Sequence, residues 1–168
     1  MKGRCQVRLS GVLPRAVGAT RRMVVAAAEY FAARSAARCG RPFRAVEVML
    51  QDDEGSAAAH EATMGVSGAT DVITQGYDPL PGEAPGVYGE LLVNAQRAVE
   101  AAPRRPGWSP AREILLYIAH GMDHLSGADD RDESGYARMR RRELGWLRDF
   151  GKISRDAIYP CAIPADVR

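Results

Sequence analysis

Three cysteines in 168 residues, Cys5, Cys39 and Cys161, with no two in a C-x-x-C pair, leave this chain without a disulfide framework or a cysteine-rich zinc site. A reducing cytoplasm is the setting that this implies. Long apolar runs are also missing. The stretch Met23-Val-Val-Ala-Ala-Ala28 is cut by Glu29 before it reaches the length of a signal-peptide core, and no other segment spans a bilayer, so the chain reads as neither secreted nor membrane-bound. Charge of one sign is not in surplus: 23 Lys and Arg face 21 Asp and Glu, a net +2, so any affinity for nucleic acid has to come from a local basic patch. There is no internal repeat and no low-complexity tract. Length and an apolar fraction of 46% fit one domain, expected over residues 1–150, with an irregular tail over 151–168.

What is present reads as alternating strands and helices. Gln6 to Ser10 alternates polar and apolar residues as a half-buried strand does, and the segment from Gly11 to Gly18 with Pro14 is a loop. Alanine-rich residues 19–38 form a helix stopped by Gly40 and Pro42. Ala45 to Leu50 reads as a central strand, Asp52 to Met64 as a short helix, and the β-branched Thr70 to Thr74 as another strand. A loop over 76–86 follows, then a strand at 89–94 and a helix at 95–102 closed by Pro103 and Pro106. A further helix starts at Ser109 as N-cap with Pro110 at its first position and stops near Gly127; a last one covers about 132–149. The sum is a small α/β (α+β) domain: a mixed sheet of about four strands packed with helices.

The densest chemistry lies at His120-Gly-Met-Asp-His124-Leu-Ser-Gly-Ala-Asp129-Asp130. Side chains four apart on a helix share a face, so both imidazoles can reach one ion about 2 Å away. Gly127 then lets the chain turn back, which offers Asp129 or Asp130 as a third ligand. On a helical wheel Ile114, Leu115, Ile118, Ala119, Met122 and Leu125 form an apolar stripe, while Glu113, Tyr117, His120 and His124 lie roughly opposite. Glu113 or Tyr117 is thus placed to orient an imidazole, with a solvated polar face as the competing reading. Gly121 stands where H-E-x-x-H peptidases carry their general-base glutamate, which argues against proteolysis.

These residues resemble the YbeY family of bacterial zinc-binding endoribonucleases and rRNA maturation factors. Its signature, H-G-x-L-H-L-x-G-Y-D-H, is matched by residues 120–130, its T-D-V-L-S strand by Thr70 to Thr74, its G-D-I strand by Gly89-Glu-Leu91, and the R-E before the metal helix by Arg112-Glu113. The resemblance makes His120 and His124 nitrogen ligands and Asp130 an oxygen ligand where the family has a third histidine, leaving a fourth position open for water. A carboxylate there brings Mn²⁺ into play beside Zn²⁺. Asp129 stands where the family also has Asp, with a supporting role.

The resemblance implies a metal-dependent, single-strand-specific endoribonuclease in 16S rRNA 3′-end maturation and ribosome biogenesis, with rRNA and the small ribosomal subunit as partners. Three departures bear on that. The family's Y-R-G reads Thr63-Met64-Gly65 here, so the arginine expected to stabilise phosphate charge is a thioether and ribonuclease activity is in question. His60, where the family commonly has Asn, is a candidate for compensating proton donor. Asp123 replaces a family leucine and is either a support to the site or solvated. Candidate catalytic groups are therefore Glu113, Asp123 and His60. Arg138, Arg140, Arg141, Arg142 and Arg148, with Arg104 and Arg105, are the candidate phosphate contacts. The alternative is a non-catalytic, metal-stabilised ribosome or rRNA assembly factor.

Overall fold

The computed structural model describes residues 4–154, in the order β1 (Gln6–Gly11), α1 (Arg21–Cys39), β2 (Phe43–Gln51), α2 (Asp53–Met64), β3 (Val72–Tyr77), β4 (Val87–Asn94), α3 (Ala95–Ala101), α4 (Pro110–Leu125) and α5 (Glu133–Ile153). The four strands make one sheet in the order β1-β2-β4-β3, with β1, β2 and β4 parallel and β3 antiparallel to β4. A parallel pair needs a crossover, and α1 supplies the one between β1 and β2. This is the mixed four-stranded sheet packed with helices that the residue pattern implies.

Alternation along the strands shows which face is covered. On β2, Val46, Val48 and Leu50 are buried while Ala45, Glu47 and Met49 are half-buried; on β4, Leu91 and Val93 are buried while Glu90 and Leu92 are half-buried. Helices α1, α3 and α4 lie on the apolar face, and α5 packs outside against α1 and α4. Helix starts follow the sequence, with Thr20, Asp52, Asn94, Ser109 and Asp132 each accepting a backbone N–H of the first turn. Each such cap contributes about 1 kcal/mol. Among the described residues no helix is long and apolar enough to cross a membrane.

Several boundaries differ from the sequence expectation. Strand β3 starts at Val72, because the Thr70 carbonyl is taken by Ser56 Oγ and Asn94 Nδ2. It then continues to Tyr77 through a Gly76–Gly89 pair, where the loop had been expected to begin. Pro103 does not close α3 outright but sits in a 3₁₀ turn, Ala102–Arg104. Helix α5 extends to Ile153, since Phe150 packs on the rings of Tyr30 and Phe31 at 5.5 and 6.0 Å. The larger correction concerns the polar side of α4, where Glu113 and Tyr117 are buried along with the apolar stripe. It is the central helix, enclosed by α1, α3, α5 and the sheet. Of the tail over 151–168, residues 155–168, Cys161 included, lie outside the described residues.

Candidate metal centre

Helix α4 is pressed against the sheet at Gly121, where a Cβ would lie 2.6 Å from Leu91 Cδ2 and 3.2 Å from Thr74 Oγ1. A side chain there has to displace the buried end of Leu91, which disfavours the glutamate of an H-E-x-x-H peptidase at this position. His120, next to Gly121, and His124 stand one turn apart with their Nε2 atoms 3.0 Å from each other. Beyond Leu125 the chain closes a Schellman turn: the Gly127 N–H donates to the His124 carbonyl at 2.8 Å and the Ala128 N–H to the Asp123 carbonyl at 3.2 Å. Gly127 takes φ +86° to make it, a conformation that glycine adopts without a Cβ penalty.

That turn carries Asp130 back onto the helix, with Oδ2 3.5 Å from His120 Nε2 and 3.6 Å from His124 Nε2. A tetrahedral zinc with bonds of about 2.0–2.1 Å holds its ligand atoms about 3.4 Å apart. The three donor atoms, all within 4.8 Å of one another, match that spacing. Their protonation fits as well. His120 Nδ1 lies 2.7 Å from Glu143 Oε1, and His124 Nδ1 lies 3.1 Å from the Ala128 carbonyl. Both partners are acceptors, so each neutral ring keeps its proton on Nδ1 and turns an Nε2 lone pair inward. Two lone pairs and a carboxylate oxygen converging on one point suit a cation. A proton is the competing one: burial opposes charge on His120, but the hydrogen bond and charge of Glu143, with Asp71 and Asp130 beyond, raise its pKa above the ordinary imidazole value.

The other expected site residues lie elsewhere. Glu113, two turns upstream, accepts from Trp108 Nε1 at 2.6 Å and pairs with Arg105; Trp108 in turn lies between the guanidinium groups of Arg105 and Arg112. It braces the start of α4 and does not orient an imidazole, and Tyr117 is buried beside it. Asp123 is neither solvated nor turned to the donors. Fully buried, it receives Arg38 Nε at 3.1 Å and Arg142 Nε at 2.9 Å, while Arg38 also donates to the Ser126 carbonyl at 2.9 Å. One carboxylate thus ties α1, α4 and α5 together. His60 Nδ1 lies 2.8 Å from the Gly68 carbonyl, bracing the loop after α2, and Met64 ends that helix 58% exposed. Asp129 turns outward to Arg131, whose hydrogen bonds hold its pKa down at about 2.

The candidate phosphate contacts divide in two. Arg105, Arg140 and Arg142 face the carboxylates of Glu113, Glu143 and Asp123, whereas Arg104, Arg138, Arg141 and Arg148 face solvent. The residue that sequence reasoning missed is Glu143, on the arginine-rich last helix yet fully buried. A signal existed. Buried Met139, Leu147 and Phe150 mark the inner stripe of α5, and Glu143 lies on it four residues from Met139 and four from Leu147. A carboxylate on a buried stripe needs a partner.

Comparison with known proteins identifies the family. A family model described as Endoribonuclease YbeY matches residues 17–151. Among proteins of that name, one from Kineococcus radiotolerans is 35% identical, the match covering 66% of this chain and 69% of the relative. Another, from an Anaeromyxobacter species, is 31% identical over 88% of this chain and 73% of the relative. A solution structure from Thermotoga maritima superposes with TM-score 0.60 at 16% identity, covering 96% of this chain and all of that one, which supports the fold alone. With the signature at 120–130 lying inside the matched span, the chain belongs to the YbeY family.

Proposed function

We propose that this protein is a metal-dependent endoribonuclease that cuts single-stranded RNA in the cytoplasm, acting in 16S rRNA 3′-end maturation and ribosome biogenesis. Its carrying observation is the convergence of His120 Nε2, His124 Nε2 and Asp130 Oδ2 at 3.0, 3.5 and 3.6 Å, which supports reading these three as the ligands of one divalent ion, Zn²⁺ or Mn²⁺. Bound there, such an ion supplies Lewis acidity toward a phosphoryl oxygen and makes water acidic enough to act at neutral pH. The residues of the chain do the rest. Ala128 holds the ring of His124, and the Schellman turn holds Asp130 opposite both imidazoles. Side-chain exposures of 16% for His120 and 28% for both His124 and Asp130 leave the donors open on one side to a phosphodiester. Solvent-facing Arg138 and Arg141 on α5 offer charge for the rest of an RNA strand.

A second reading, a non-catalytic rRNA assembly factor that keeps its metal as a staple, is supported by exposed Met64 in place of the family's arginine. The experiment that separates them is cleavage of a single-stranded rRNA 3′ fragment by purified protein, beside metal analysis. Expected are metal-dependent cleavage, its loss in His124→Ala and Asp130→Ala, and a gain of about tenfold or more in Met64→Arg. Bound metal with no cleavage by the wild type or by Met64→Arg overturns the nuclease and leaves the assembly factor.

A further inference from the structure

We infer that Glu143 is a positioning residue for His120: it holds the ring in its Nδ1–H form and keeps the Nε2 lone pair turned toward His124 and Asp130. This rests on the metal reading above for its purpose, not for its geometry. Glu143 is fully buried on the inner stripe of α5, and its Oε1 lies 2.7 Å from His120 Nδ1. Its second oxygen has no hydrogen-bond donor among the described residues, and Arg140 Nη1 stands 3.5 Å from it in an ion pair. A buried carboxylate with one oxygen unbonded is costly, and the close hydrogen bond to His120, with the longer Arg140 ion pair, offsets that cost. Among the described residues Glu143 is the hydrogen-bond partner of His120 Nδ1. A carboxylate accepts and cannot donate when ionised, so the ring proton is drawn to Nδ1 and Nε2 is left basic.

The neighbouring residue explains how the contact is kept in register. Arg142 enters the buried carboxylate of Asp123 on α4 at 2.9 Å, and Arg38 of α1 reaches the same group. Asp123 is three residues from His120 on α4, and Arg142 is next to Glu143 on α5, so the ion cluster and the Glu143–His120 bond are two rungs between the same pair of helices. A slide of α5 by one turn, about 5.4 Å, breaks both together. Carboxylates that receive the second nitrogen of a metal-bound histidine typically change metal affinity by 10–100-fold when removed.

The test uses the full chain and two variants, Glu143→Leu and Glu143→Gln. Nitrogen-15 NMR of the metal-free protein at alkaline pH reports which ring nitrogen of His120 is protonated, and competition with a chromophoric chelator gives the zinc Kd. In the wild type His120 is expected in the Nδ1–H form. Glu143→Leu is expected to release it to a mixture of both forms and to weaken zinc binding at least tenfold, with far-UV circular dichroism unchanged. Should that variant fail to fold, Glu143→Gln carries the test, because an amide of equal size can donate as well as accept and no longer enforces one form. A merely structural role moves the melting temperature and not the ring. Retention of the Nδ1–H form, or a zinc Kd within twofold of wild type, overturns the inference. A wild type that takes up no zinc sinks the metal reading instead, and the ring form alone then decides the role of Glu143.

Discussion

Substituting Asp130 for a third imidazole changes the charge of the centre more than its shape. Its Oδ2 stands at imidazole-like distances from both Nε2 atoms, yet a carboxylate adds a negative charge that favours harder ions relative to a three-histidine site. Elsewhere single residues owe their chemistry to burial. Cys5, on the β1 side of the sheet, has its thiol pushed up to about 11, chiefly by burial and further by the charge of Glu29. Its thiolate, the reactive form, is therefore about a thousandfold scarce at pH 8 and grows only as pH rises toward 11. Iodoacetamide labelling followed by peptide mass mapping should find Cys5 nearly unmodified at pH 8 and increasingly modified above pH 10; rapid labelling at pH 8 would show that the thiol is not desolvated. Residue identity also explains why Gly121 was legible as an argument against a peptidase, while the reason for it, the contact with Leu91, was not.

Among the elements, α4 carries the site and α5 supports it. The i, i+4 histidines, the Ser109 cap, Pro110 and Gly127 are local signals, and each was readable because helix geometry alone relates residues a turn apart. The wheel misjudged the polar side of α4 for the opposite reason. Glu113 and Tyr117 look solvent-facing until the Arg105–Trp108 segment and the sheet close over them, which no periodicity reports. Asp123 was ambiguous on the wheel and is decided by two arginines from other helices. Replacing it by Ala leaves Arg38 and Arg142 facing each other without their carboxylate, and removal of one partner from a buried ion pair costs about 3 kcal/mol or more. Urea denaturation of Asp123→Ala should show a loss of that order, with α5 the first helix to lose hydrogen-exchange protection. A loss under about 0.5 kcal/mol would mean the cluster contributes no more than a surface pair.

For the molecule as a whole, the question is whether the ion holds the fold or only the site. The core runs from Val24, Phe31 and Val48 through Leu91 and Val93 to Ile114, Ile118 and Phe150, and it is built without any of the three donor side chains. Only the turn from Ser126 to Asp130 depends on them, and that turn has its own hydrogen bonds and the grip of Arg38. Removal of metal by a chelator should therefore leave far-UV circular dichroism intact and lower the unfolding free energy only by the binding term, about 2.7 kcal/mol at a ligand concentration of 100 Kd, with a matching drop in melting temperature. Global unfolding on chelation would make the ion a folding staple and favour the assembly-factor reading.

The sequence by itself determined the element types, the histidine pair and the returning aspartates, because each depends on residues within a turn or a strand of one another, and the order of those elements implied the mixed sheet. Only the tertiary structure decided that Asp130 and not Asp129 faces the imidazoles, that Glu113, Asp123 and His60 stand apart from them, and that Glu143 stands behind His120. Those contacts join residues distant in the chain, 23 apart for Glu143 and His120 and 88 apart for Arg38 and Ser126. Their partners are selected by how helices dock, and docking is set by packing volume and the pairing of buried charge, neither of which has a period along the chain.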